Sequence, residues 1–283
     1  MNWKQILPPL CRSRIETRFV PAGGPLPVGS SKFGGRPDVP AGFIWPYFTT
    51  DTPDDEQVTP RPLAFLAQFS CAQLSALDPE GLLPKTGLLS FFYELGSQRW
   101  GYDPKDGGCA RVYWFDGEAQ TPAEFPQDLE EMFRLPELKA ELARGTDAPD
   151  FQDACPALEY DWTANDYRAF DQARRELGLD YPDNLSKVLG WPDIIQNNMT
   201  LECELVSRGY FLGGRWEGVP LEERDALRTP SVRDWRLLFQ LDTVANGDFE
   251  LMFGDCGRIY FYIRTEDLQA RRFDRVWLIF QCS

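Results

Sequence analysis

The chain has 283 residues, 43% of them hydrophobic and 14% aromatic, enough for one large domain or two ordinary ones with a sizeable core. Its 44 acidic and 29 basic residues leave a formal charge of −15, which argues against general binding to phosphate backbones. Histidine is absent, which removes Ser-His-Asp and Cys-His triads and His-containing zinc sites and leaves any catalysis to Asp, Glu, Lys, Tyr or Cys.

The opening "MNWKQILPPLCRSR" lacks the apolar core of a secretory signal and reads as a short amphipathic segment interrupted by Pro8 and Pro9. No run approaches the roughly 18 apolar residues of a membrane span, so none is expected. The next stretch, "SSKFGGRPDVPAGFIWP" (30–46), has two readings. In one, Gly35, Pro37 and Asp38 make a structural turn in which Gly35 allows a positive φ or close packing. In the other, Lys32 and Arg36 form an anion-binding rim. A P-loop is excluded, because Lys32 precedes the glycines and Pro37 and Pro40 oppose helix entry.

The acidic interval 49–61 reads as an exposed loop; its Asp51, Asp54 and Asp55 lack the spacing of a calcium-binding EF-hand. Alternation then predicts a strand in "RPLAFLAQFS", with Leu63, Phe65, Ala67 and Phe69 on one face and Leu66 and Gln68 on the other. Further strands are predicted in "GLLSFFYEL" and "ARVYWFDG". "FPQDLEEMFRLPELKAELARG" reads as one broken helix or two short ones around Pro136, and 145–162 as a polar connection. "TANDYRAFDQARREL" predicts a helix capped by Thr163 and Asp166 and ended at Gly178. "KVLGWPDIIQNN" (187–198) repeats the first glycine–proline turn, with Gly190, Pro192 and Asp193 retained and Trp191 in place of Arg36. Strands follow in "DWRLLFQLD", "FELMFGDCGRIYFYI" and "DRVWLIFQC".

Four correspondences occur in the same order along the chain: Gly35–Asp38 with Gly190–Asp193, Gln68 with Gln240, Gly87 with Gly257, and Arg111–Trp114 with Arg275–Leu278. They predict an internal duplication, with repeats over about 24–118 and 186–282 joined by a helical connection over about 119–185. The expected fold class is α+β and antiparallel β-rich, its two duplicated halves packed as one domain over 1–283.

Gln68 and Gln240 sit in apolar strands, where an amide needs its hydrogen bonds satisfied. Each either holds a neighbouring loop or, with Gln196, faces a polar ligand in a cleft between the halves. Trp100 and Tyr102 in "QRWGYD", and Tyr210 and Trp216 in "GYFLGGRWEG", are the best exposed-aromatic candidates for a binding surface. Asp255 lies in a turn and is expected to accept its own amides. Cys256 and Cys109 lack an activating partner, and Asp38, Asp193, Asp242 and Asp255 are the acids available to a hydrolase. The seven scattered cysteines read as reduced thiols of a cytoplasmic protein, and Arg271, Arg272 and Arg275 as a solvated face. No metal or cofactor is expected.

On "SKFGGRPDVPAGFIWP", "PLAFLAQFS", "LPKTGLLSFFYE", "LGWPDIIQ" and the stretch from "LLFQLDTVANGDFELMFGDCGRIYFYIR" to "VWLIFQC", the chain resembles the YwqG-like family, also called DUF1963. The resemblance covers roughly 24–282. It implies a bacterial cytoplasmic α+β fold with antiparallel sheets and no established activity, and it carries over no catalytic residues. Family members occur near toxin and immunity genes, which makes a protein-binding role the expectation. A carboxylate-dependent hydrolase and a small-molecule sensor remain the alternatives.

Overall fold

A computed structural model describes residues 1–52, 57–117, 120–179, 185–214 and 216–283; the expected acidic loop 49–61 lies partly, and its Asp54 and Asp55 wholly, outside this range. Among the described residues, ten strands form one antiparallel sheet: β1 (Arg12–Pro21), β2 (Lys32–Phe33), β3 (Ala64–Ser70), β4 (Leu88–Tyr93), β5 (Ala110–Phe115), β6 (Leu138–Asp147), β7 (Ser186–Leu189), β8 (Trp235–Leu241), β9 (Arg258–Arg264) and β10 (Trp277–Gln281). Their order is β10-β9-β8-β7-β1-β6-β2-β3-β4-β5, with β1 and β6 paired at the centre over their full length. The helices are α1 (Trp3–Leu10), α2 (Cys71–Leu77), α3 (Phe151–Ala157), α4 (Ala164–Glu176), α5 (Thr200–Ser207), α6 (Leu221–Asp234) and α7 (Thr265–Gln269).

The two arms on either side of the central pair follow the same register. Lys32 faces Gln68 and Lys187 faces Gln240; Gln68 then pairs with Ser90, and Gln240 with Tyr260. A bulge interrupts β3 between Phe65 and Ala67, and β8 between Leu237 and Phe239. Each bulge exchanges the faces of its strand, because an extra residue resets the two-residue alternation. Leu66, Ala67 and Phe69 therefore join the main core, while Leu63 and Phe65 pack on the opposite side with Phe92. The single apolar face expected from Leu63 to Phe69 is corrected accordingly. In the outer strands Phe91 pairs with Val112 and Phe261 with Leu278, so the expected match of Arg111 with Arg275 shifts by two residues.

The sheet curls close to a barrel. Phe91 on β4 lies 4.7 Å from Phe239 on β8 and 5.2 Å from Phe261 on β9, although these strands are far apart in the sheet order. The concave face thereby encloses one aromatic core drawn from both arms. On the convex face, the second arm presents Trp235, Leu237, Tyr260, Tyr262 and Ile279 to Met199 and Cys203, the latter on α5. The convex face of the first arm is covered by the loop bearing Phe43 and Trp45.

Residues 138–147 form a strand where a helix was expected. Leu138 and Ala140 are buried between exposed Lys139 and Glu141, the period-two pattern of a strand. Pairing with β1 overrides the helix propensity of Glu, Lys and Ala in this segment. The span 119–185 thus contributes a central strand as well as α3 and α4, and α3 lies inside the expected connection 145–162. On α4, Asp166 accepts from both the backbone and the hydroxyl of Thr163, completing the capping box. Among the described residues, no helix is long and apolar enough to cross a membrane.

Candidate functional site

Two buried polar frames occupy equivalent places in the arms. In the first, Gln68 Oε1 accepts from Asp38 N at 2.9 Å, and its Nε2 donates to Asp38 Oδ2 at 2.6 Å and to Ser30 O at 3.0 Å. In the second, Gln240 Oε1 accepts from Asp193 N at 2.9 Å, and its Nε2 donates to Asp193 Oδ2 at 2.7 Å and to Leu185 O at 2.7 Å. Each amide pins a turn to a strand with its bonding capacity filled inside the protein. Both glutamines are fully buried and neither borders a cavity described below.

Lysine completes each frame, and here the arms diverge. Lys187, 0% exposed, lies 2.8 Å from Asp193 Oδ1 and 3.0 Å from Asp147 Oδ2. Lys32, also buried, lies 2.9 Å from Glu137, whose side chain is 34% exposed, and 3.9 Å from Asp38. Gly35 and Gly190 adopt φ of +66° and +87°, and a Cβ on Gly190 would fall 2.2 Å from Asp147 Oδ2. Only glycine lets that carboxylate close on Lys187. Pro37 and Pro192 are buried in the same turns. Arg36 is exposed and bonded to Glu124, whereas Trp191 is buried, with its indole N–H donating to Leu10 O at 2.8 Å and Arg12 stacked 3.4 Å above its ring.

Four of the other candidates converge elsewhere. Trp100, Tyr102, Gln196 and Trp216 line one cavity of about 570 Å³, a volume typical of small-ligand sites. The loop 94–109, between β4 and β5, forms one wall. It is fastened to the opposite sheet edge: Phe280 N donates to Trp100 O at 3.0 Å, and the Trp277 indole to Gly101 O at 2.9 Å. A Cβ on Gly101, whose φ is +81°, would lie 1.8 Å from Leu278 O. The other wall is α5 with the loops before and after it. Leu212 N donates to Tyr102 O at 2.7 Å, joining the walls at the rim. Gln281 fixes the loop before α5 by accepting from Ile195 N and Gln196 N and donating to Asn197 O at 2.9 Å.

Glu202 on α5 is part of this cavity wall and only 3% exposed. Asn197 Nδ2 donates to its Oε1, while its Oε2 has no partner among the described residues. Burial pushes its carboxyl up to about 8, against the stabilising bond from Asn197. Asp106, in the opposite wall, accepts from Gly101 N at 3.0 Å, and burial raises its carboxyl as well. Asp103 lines the same wall, and Arg99 is bound to Thr50 and Asp51. A second cavity of about 460 Å³, bordered by Trp162 and Tyr167, shares Asn197 and Trp216 with the first.

Tyr210 lies outside the site; its hydroxyl donates to Glu223 at 2.6 Å. Asp255 is exposed in its turn and Cys256 beside it is exposed at φ +50°. Burial pushes the Cys71 and Cys155 thiols up to about 12, and all seven cysteines are free. Asp242 is engaged by Arg258. Among the described residues, no group of three or more His, Cys, Asp or Glu could hold a metal ion. Sequence reasoning missed Glu202, Asn197, Phe211 and Gln281. The one available signal was the two acids, Glu202 and Glu204, inside the otherwise apolar "LECELV", since an acid in such a setting marks either a pair or a site; Glu204 is paired with Arg264 and Arg208.

A family model described as a domain of unknown function, DUF1963, matches residues 31–282. No curated protein matches the chain.

Proposed function

The chain belongs to the DUF1963 family, and we propose that it works by binding, in the cytoplasm, with another protein as its partner. The cavity between the 94–109 loop and α5 receives that partner, and the Lys–Gln–Asp frames serve the fold. One observation carries this reading: Trp100, Tyr102, Gln196 and Trp216 meet at one cavity, whereas Gln68 and Gln240 spend their hydrogen bonds inside the protein. Trp100 and Phe211 on the cavity, and Trp162 and Tyr167 on its neighbour, are exposed aromatics of the kind that anchor interfaces. We further infer that the two arms descend from an internal duplication. Its support is the shared register, the shared bulge and the repeated Gln–Asp frame. A link to toxin neutralisation rests on the family resemblance alone.

The test is affinity capture from native cells with the full chain as bait, comparing wild type with Trp216→Ala and Arg36→Ala. The expected result is a discrete partner lost with Trp216→Ala and kept with Arg36→Ala. Recovery of only a tightly held metabolite would sink the protein-partner reading. It would favour a small-molecule sensor using the same cavity.

A further inference from the structure

We propose that this cavity is a receptor for one alkylammonium group, the side chain of a lysine on a basic partner, with Glu202 as its counter-ion. The inference rests on the reading that the cavity is the binding site, and it names the chemistry recognised there. Three observations converge on a cation. Glu202 is a nearly fully buried wall residue whose Oε2 has no hydrogen-bond partner among the described residues. A buried carboxylate oxygen left open is costly unless a donor or a positive charge completes it. Among the described residues the remaining charges on the wall are Asp103, Asp106 and Arg99, and Arg99 is already engaged by Asp51, so their balance is acidic. Trp100, Tyr102, Phe211 and Trp216 supply aromatic surface, which attracts ammonium groups through the ring quadrupole. Trp216 already attracts the Arg224 guanidinium, 5.6 Å from its ring.

The surroundings of Glu202 make the site responsive to pH. Tyr102 faces it from the loop, Tyr262 from β9, Asn197 from the preceding loop and Cys203 from its own helix. Burial holds both tyrosines and the thiol in their neutral forms, so no cation among the described residues satisfies the carboxylate from these directions. The empty site therefore keeps Glu202 protonated at neutral pH, and an arriving ammonium ion displaces that proton to solvent. Affinity for a cation then rises with pH up to about 8, where Glu202 is already ionised, and levels off above it. The ammonium itself stays charged throughout, its own pKa lying near 10.4.

The experiment titrates the full chain with n-butylammonium chloride, Nα-acetyl-lysine methylamide and the neutral isostere n-butanol, by calorimetry from pH 6 to pH 9. The expected result is 1:1 binding of both cations at least tenfold tighter than n-butanol. Cation affinity should climb about tenfold per pH unit below pH 7.5 and flatten above pH 8. Glu202→Gln should lose about tenfold in cation affinity together with the pH dependence. The pH slope is read on the unaltered chain, so a failure of that variant to fold leaves the test intact. Tighter binding of the lysine derivative than of butylammonium identifies a lysine side chain as the source; the reverse identifies a free amine. Equal affinity for n-butanol and n-butylammonium, or a flat pH profile, overturns the cation proposal. If that n-butanol binding is lost with Trp216→Ala, the cavity remains the binding site. No binding by any probe overturns the cation proposal, and partner capture unaffected by Trp216→Ala sinks the reading beneath it.

Discussion

The two arms of the sheet share a Lys–Gln–Asp frame and surround it differently. In the first arm Lys32 leans on a partly exposed glutamate and Ser90 occupies the strand position beyond Gln68. In the second, Lys187 is sealed between two aspartates, and Tyr260 at the position of Ser90 donates its hydroxyl to Asp193 O at 2.6 Å. The first arm is roofed on its convex side by a loop, the second by α5, which also makes one wall of the cavity. The comparison separates what holds the fold from what distinguishes the surface. The Gln–Asp pinning of the turn recurs, while α5 covers only the second arm and the cavity lies where α5 and its flanking loops meet the 94–109 loop of the first.

Four tests, the first a comparison of two variants, bear on this contrast. Lys187→Met should cost about 3–5 kcal/mol, because it leaves the buried Asp193 carboxylate without its cation, while Asp147 keeps only Arg14. Lys32→Met should cost only about 1–2 kcal/mol, since water screens Glu137. Equal losses in urea unfolding would erase the distinction between the arms. Next in size, Gly101→Ala should cost about 2–3 kcal/mol by forcing a Cβ onto Leu278 O, and should loosen the loop that carries Trp100 and Tyr102. A variant as stable as wild type would show that the loop docks otherwise.

The third concerns pH. Glu202 has a folded-state pKa raised to about 8, above its unfolded value, so its protonated form favours the native state. Stability is fully present below the unfolded pKa and is lost as pH rises toward about 8. Glu202→Gln should remove up to about 1.4 kcal/mol per pH unit of that decline between pH 5 and pH 8. Asp153, likewise raised to about 8 by burial, should continue to give a slope in the variant. Identical pH profiles would contradict the assignment. The smallest effect is expected at the position where the turns differ. Arg36→Ala should change stability by less than about 0.5 kcal/mol, as its partner Glu124 is 84% exposed. A larger loss would give Arg36 a structural role matching that of Trp191.

Much of this frame was legible in the sequence. Period-two alternation located β3, β4, β5, β8, β9 and β10, and an amide inside two apolar strands marked Gln68 and Gln240 as residues needing fixed partners. Thr163 and Asp166 announced the start of α4. Other features depended on tertiary contacts that local pattern does not encode. "ELKAELARG" favours a helix in isolation and becomes a strand only through β1. The bulges at Phe65/Ala67 and Leu237/Phe239 leave no signature in composition, so simple alternation puts Leu63, Phe65, Ala67 and Phe69 on one face where β3 divides them between two. Glu202 and Gln281 acquire their roles because α5 and the end of β10 meet one loop from opposite sides. Of the exposed-aromatic candidates, Trp100, Tyr102 and Trp216 converge because Leu212 N meets Tyr102 O, while Tyr210 turns to Glu223.

The division between frame and cavity is most directly tested by ¹⁹F NMR of the full chain labelled with 5-fluorotryptophan, titrated with n-butylammonium chloride at pH 8.5 and assigned by single Trp→Phe substitutions. The account predicts shifts confined to Trp100 and Trp216, with Trp45 in the first arm and Trp191 in the second unmoved. Shifts at Trp191 or Trp45 with Trp100 and Trp216 unchanged would contradict it.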